Sequence, residues 1–330
     1  MMMEEANLLS VIGNTPLVRL GKLFDESQGI RVYGKLELLN PGGSAKDRPA
    51  LHMIRKAWDE GKIGPHSVVV ESSSGNMAIS LAAICRYLNM RFICVLDTRT
   101  TSQHIRLLRA YGAEVDLVEQ PDAATGEFLP ARIQRVQELL QHIPGSYWPN
   151  QYANPNNYRS HYDTTMAEIA AQLDRIDYVI GGASTCGTLK GCRDYVQDFG
   201  MPTQIVAVDA EGSAIFGSDS SSVRRFPGLG AGIVPPFARE QPADRVIHVS
   251  DWEMVAGCRQ LLNEEALMAG PSSGGVISAA KRLTSEMKPG AVCVVIVHDR
   301  GERYLDTVYN DEWVFEQFGK RVGAKAEAVL

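Results

Sequence analysis

Runs of β-branched apolar residues alternate along this chain with segments of helical period, and that alternation constrains the fold more than any other feature. The runs are SVVVE (67–71), RFICVL (91–96), EVDLVE (114–119), DYVIGG (177–182), QIVAVD (204–209) and AVCVVIV (291–297). Strands that are apolar on both faces belong in parallel sheets covered by helices. The spacing of apolar residues predicts helices over 49–61, 76–90, 102–112, 131–141, 156–173, 186–200 and 272–287. Repeated strand–helix units predict an open, twisted α/β architecture that receives ligands at the carboxyl ends of its strands.

A chain of 330 residues with 45% hydrophobic content buries a large core, as two domains or one large α/β unit. Periodicity breaks at PGSYWPNQYANPNN (144–157), which is where a domain crossing is expected. A second irregular stretch, 217–236, is too long for a mere connector and reads as functional. The net charge is −6 and no basic block occurs, so neither nucleic acid nor an anionic membrane is an expected partner. No apolar run approaches the ~18 residues that span a bilayer, and acids stand where a signal peptide needs basic residues, so a cytoplasmic protein is expected. The six cysteines show no paired spacing and read as reduced core residues, and no metal site is expected.

Three turns rich in Gly, Ser and Thr each follow an apolar segment and precede a helix: SSSGNMA (72–78), GGASTCGTLKG (181–191) and AGPSSGGV (269–276). Any one of them is explained as a helix cap. Together they offer several sets of backbone N–H groups to one ligand with several anionic oxygens. Lys46, in NPGGSAKDRP (40–49), sits on a tight corner just ahead of a helix. A surface lysine is ordinarily a solvated charge. At a helix start the positive dipole end disfavours its cation, and a neutral amine can form a Schiff base. A lysine accompanied by anion cradles points to pyridoxal phosphate.

IGNTPLVRL (12–20), NPGGSAKDR, SSGN, NQYANPNN, GGASTCGT, PSSG and GERYL (301–305) occur in the order seen in the cysteine synthase and cystathionine β-synthase family of fold type II pyridoxal phosphate enzymes, which this chain resembles. Within it, ESSSGNMAISLA, LVEQPDA, WPNQYANPNNYRSHY, QIVAVDAEGSAIFG and DRGERYLDTVYNDEW are similar to the N-(2-amino-2-carboxyethyl)-L-glutamate synthases of siderophore pathways. The resemblance implies two open, twisted three-layer α/β domains of the tryptophan synthase β-like type. The smaller, mobile one would span 46–150 and the larger, cofactor-binding one 1–45 with 151–330. It also implies a homodimer.

By the same resemblance, Lys46 carries the cofactor as a Schiff base and Asn76 meets the pyridoxal ring hydroxyl. Ser184, Thr185, Cys186, Gly187 and Thr188 wrap the phosphate, and Ser272 faces the pyridine nitrogen. Ser73, Ser74 and Gln151 hold the substrate carboxylate. The implied reaction joins O-phospho-L-serine to L-glutamate through an aminoacrylate, on the way to 2,3-diaminopropionate, with Lys46 as the base at Cα. A serine at the ring nitrogen does not hold a proton there as an aspartate does, so a weak electron sink is expected.

Met77 stands where most cysteine synthases have threonine, which alters the pocket beside the carboxylate. Cys186 stands where glycine is commoner and is expected to pack. Phosphoserine carries roughly two negative charges, so a cation is needed, and Arg132 is the first candidate, followed by Arg224 and Arg225. Each of these arginines reads equally well as a solvated charge. Arg48 is expected to pair structurally, and Tyr152 to line the pocket or to pack. Cysteine synthase, using sulfide, remains open as the alternative reaction. A non-catalytic scaffold requires the loss of a key residue, whereas Lys46, Asn76 and Ser272 are all present.

Overall fold

The structure, a computed structural model, describes residues 6–24, 28–217 and 224–321. Residues 218–223 of the long irregular stretch lie outside the described residues. The strands are β1 Leu17–Arg19, β2 Arg31–Leu36, β3 Val68–Ser72, β4 Arg91–Asp97, β5 Glu114–Val118, β6 Ser146–Tyr147, β7 Tyr178–Gly182, β8 Gln204–Ala210, β9 Arg245–Val249 and β10 Val292–Val297. The α-helices are α1 Asp47–Asp59, α2 Asn76–Tyr87, α3 Ser102–Ala110, α4 Phe128–His142, α5 Asn156–Ser160, α6 Ala167–Gln172, α7 Gly187–Asp198, α8 Asp251–Glu265, α9 Pro271–Thr284 and α10 Asp311–Phe318. No helix among the described residues is long and apolar enough to cross a membrane.

Two compact units form. Unit one holds the described residues up to Asn14 together with Asn40–Thr165, and unit two holds those of Thr15–Leu39 and from Met166 onward. These divisions differ from the expected ones at 45/46 and 150/151. The segment from Asn40 is fastened to unit one by its own side chain, whose Oδ1 accepts from Gly13 N at 2.8 Å. Helix α5 packs against α1, so the Asn-rich turn lies inside unit one.

Unit one is built on a parallel sheet of order β5-β4-β3-β6. The period-2 geometry of β3 sends successive valines to opposite faces. Val69 joins Met53, Leu81 and Leu108 of α1, α2 and α3. Val68 and Val70 join Val136 of α4. That two-sided burial is why the run reads as continuously apolar.

In unit two the order is β1-β2-β10-β7-β8-β9, with β1 antiparallel to β2 and the other pairs parallel. Val295, Val206 and Val208 pack with Val276 and Ala280 of α9 and Leu261 of α8. On the opposite face, Gly181 leaves room for Leu189 of α7 and Ile296 of β10. Each unit is thus a helix–sheet–helix sandwich, the expected three-layer α/β class.

The helix expected over 156–173 is interrupted by a π-helical turn at His161–Met166. Hydroxyls drive the interruption: Thr164 Oγ1 donates to Ser160 O at 2.5 Å, and Thr165 Oγ1 pairs with His161 Nδ1 at 2.9 Å. The chain leaves unit one within this turn.

Candidate functional site

In unit one, the Lys46 corner is closed by its neighbour. Gly43 adopts φ +82°, and Gly43 N donates to Asn40 O at 2.8 Å. The Asp47 carboxylate, 1% exposed, accepts from Gly42 N at 2.5 Å and from Ser80 Oγ at 2.5 Å. A Cβ on Gly42 would collide with that carboxylate. Lys46 is therefore held as the N-cap residue of α1, as its position in the sequence predicts. Ser80 Oγ also lies 3.0 Å from Asn76 O, so one hydroxyl ties the first turn of α2 to the residue after Lys46. Arg48 is buried, 3% exposed.

The turn SSSGN leads from β3 into α2, and Gly75 offers α2 no side-chain cap. Ser73 Oγ accepts from Gly75 N at 3.3 Å. The Ser72 hydroxyl is buried with no hydrogen-bond partner. Glu71, which sequence reasoning passed over, organises the neighbourhood from within: it accepts from Trp148 Nε1 at 2.8 Å, Ser72 N at 2.9 Å and Gln151 N at 3.3 Å. Burial pushes its carboxyl up to about 7 against these hydrogen bonds. An acid closing an otherwise all-valine strand was the signal for it. The asparagines of the next turn serve its backbone, Asn157 Nδ2 donating to Gln151 O at 2.6 Å and Asn154 Nδ2 to Pro149 O at 2.9 Å. Gln151 is buried and Tyr152 half-buried in this turn, and Ser74 is half-buried between Ser73 and Gly75.

Arg132, on α4, is 9% exposed, and its Nη1 stands 3.4 Å from Asp97 Oδ2 at the carboxyl end of β4. The contact is an ion pair without a hydrogen bond, and Nε and Nη1 both lack hydrogen-bond partners. Met77 is 1% exposed within the unit-one core. In unit two, Arg225 is held by Asp251, 3.0 Å from its backbone N, and lies over the Phe318 ring, so its charge is used structurally. Arg224 lies against Gly230 and Gly232, and Gly230 N donates to Ala183 O at 2.8 Å beside the Ser184 turn.

That turn links β7 to α7. Cys186 is buried at φ +64°, the left-handed region that favours glycine, and its side chain does not cap the N–H groups of α7. Ser184, Thr185, Gly187 and Thr188 surround it, with Gly187 N donating to Thr185 Oγ1 at 3.2 Å. His298 Nε2 accepts from Gly182 N at 2.9 Å and so secures the strand end. A helix start with a small-residue turn and no side-chain cap fits a phosphate. Ser272, 6% exposed, follows Pro271 in the first turn of α9, whose cap residue Gly270 also has no side chain to offer. None of the six cysteines is in a disulfide and all are buried; burial pushes the Cys85 thiol up to about 12 and those of Cys94, Cys258 and Cys293 higher still.

Three solved structures share this arrangement of elements. The O-acetylserine dependent cystathionine β-synthase from Helicobacter pylori is 28% identical with a TM-score of 0.83, covering 94% of this chain and 100% of that one. An O-ureido-L-serine synthase is 30% identical with a TM-score of 0.85, covering 95% and 96%. A hydrogen sulfide-producing enzyme from Fusobacterium nucleatum is 32% identical with a TM-score of 0.83, covering 91% and 100%. The family model described as "Pyridoxal-phosphate dependent enzyme" matches residues 8–299. With that match over most of its length, the chain belongs to the pyridoxal-phosphate-dependent enzyme family.

Proposed function

We propose that this enzyme replaces the phosphate of O-phospho-L-serine with the amine of L-glutamate, giving N-(2-amino-2-carboxyethyl)-L-glutamate, a precursor of the 2,3-diaminopropionate used in siderophores. The observation that carries the reading is Arg132: a buried guanidinium whose Nε and Nη1 make no hydrogen bond is suited to a doubly charged leaving group. The names of two similar structures contain O-substituted serines, which supports a serine derivative as first substrate.

Pyridoxal phosphate, when bound, supplies the electron sink that makes the Cα proton removable. In this reading the residues from Ser184 to Thr188 hold its phosphate at the start of α7, Asn76 meets the ring hydroxyl and Ser272 the ring nitrogen. The Lys46 amine anchors the cofactor, takes the Cα proton of the amino acid and later returns it. Ser73, Ser74 and Gln151 hold the substrate carboxylate, and Arg132 with Tyr152 holds the phosphate. Met77 acts through packing under the carboxylate turn. The protein works as a cytoplasmic homodimer.

Phosphate release from O-phospho-L-serine tests the reading directly. Glutamate should accelerate it, Lys46→Ala should abolish it, and Arg132→Ala should weaken use of phosphoserine by roughly tenfold or more, the loss of one charge-assisted hydrogen bond of ~1.5–3 kcal/mol. The hydrogen sulfide-producing relative favours a second reading, cysteine synthase. Acceleration by sulfide with glutamate inert would decide for it.

A further inference from the structure

We propose that Glu71 is a positioning residue that sets the spacing between Ser73 and Gln151 and so shapes the cradle for the carboxylate of the amino-acid substrate. The proposal rests on the reading that these two residues hold that carboxylate.

The backbone ladder between β3 and β6 reaches only to the pair of Val69 and Tyr147. Beyond it the Glu71 side chain does the joining. Its Oε1 accepts from Ser72 N at 2.9 Å and from Trp148 Nε1 at 2.8 Å, and its Oε2 accepts from Gln151 N at 3.3 Å. One carboxyl group, 1% exposed, thus fastens the backbone just ahead of Ser73 to the backbone of Gln151.

Each segment is held from a second side as well. Ser73 O accepts from Cys94 Sγ at 3.3 Å, and Gln151 O accepts from Asn157 Nδ2 at 2.6 Å. The groups left over point to a ligand. Ser73 Oγ accepts from Gly75 N at 3.3 Å, which leaves the hydroxyl hydrogen to be donated. Gln151 is 6% exposed, and its side-chain amide makes no hydrogen bond among the described residues. Burying an amide costs free energy unless something pairs with it. A hydroxyl and a primary amide, both donors on firmly held backbone, suit the two oxygens of a carboxylate.

Valine at position 71 would continue the apolar run of β3, but the N–H groups of Ser72, Trp148 and Gln151 would then lose their acceptor. Glutamine is more selective. It keeps one oxygen for Ser72 N and Trp148 Nε1, while its NH2 group meets Gln151 N donor against donor. The Gln151 amide then loses its register with Ser73, and substrate affinity falls, while the Lys46 corner keeps its own support on Asp47.

The test titrates holoenzyme with O-phospho-L-serine in the absence of glutamate and reads the apparent dissociation constant from the cofactor absorbance. Glu71→Gln should raise that constant roughly tenfold, the effect of losing one hydrogen bond to a charged group, with cofactor content at the wild-type level. KM should rise alongside it, and kcat should move less. Glu71→Asp, whose carboxyl falls one methylene short of Gln151 N, should act the same way where the first variant does not fold. Gln151→Ala should lose a similar factor, and adding Glu71→Gln to Gln151→Ala should cost less than about a further twofold, because both changes act through one amide. Wild-type affinity in the Glu71 variants, or an undiminished loss on the Gln151→Ala background, overturns the role of Glu71 alone. Wild-type affinity in Gln151→Ala overturns the reading on which that role rests.

Discussion

A lysine amine serves chemistry only when the chain around it is held, and around Lys46 the Asp47 carboxylate does the holding. Gly42→Ala forces a methyl group onto that carboxylate, and the overpacking should cost about 1–3 kcal/mol in urea unfolding and lower cofactor loading. Unchanged stability would show that the corner is not fixed as described. Glu71 carries a pH signature. Its folded value of about 7 lies above its ordinary 4.5, so between the two the folded state binds more protons than the unfolded one. Its contribution to stability is fully present below about pH 4.5 and is lost as pH rises through about 7. Glu71→Gln should flatten that part of the stability profile, and an unaltered slope in denaturant midpoints from pH 4.5 to 7 would exclude Glu71 as its source.

Among elements, the closest approach is that of α8 and α9. A Cβ on Gly274 would collide with Met254 O and press on Cys258 Sγ, and one on Gly257 with Gly274 O. Glycine to alanine inside a helix ordinarily gains up to ~1 kcal/mol. Here Gly274→Ala should destabilise by about 1–3 kcal/mol and, because Ser272 lies in the first turn of α9, disturb the cofactor absorbance; a gain in stability would contradict the packing. Elements differ in how openly their residues announce them. β3, β4, β8 and β10 are apolar throughout and are legible at once. β2 is hidden by Gly34 and Lys35, because Lys35 is wholly buried only through Thr15 O at 2.7 Å and Glu168 Oε2 at 2.6 Å, partners distant in sequence. α8 escaped despite its Ser250–Glu253 capping box, since its apolar face shows only against α9.

At the scale of the whole molecule, the repeated strand–helix pattern and the ordered small-residue turns are local, and they carried the fold class and the cofactor. The burial of the Glu71 and Asp299 carboxylates was not legible, because it is set by packing between elements far apart in the chain. For Arg132 the reverse holds: its candidacy came from charge arithmetic, and the structure adds a buried guanidinium whose Nε and Nη1 make no hydrogen bond. The most direct test of the central claim is the mass of the product formed from O-phospho-L-serine and nitrogen-15 L-glutamate. One product containing the labelled nitrogen and both carbon skeletons is expected, with one inorganic phosphate released per molecule; cysteine formed only on addition of sulfide, with the labelled glutamate untouched, would overturn the assignment.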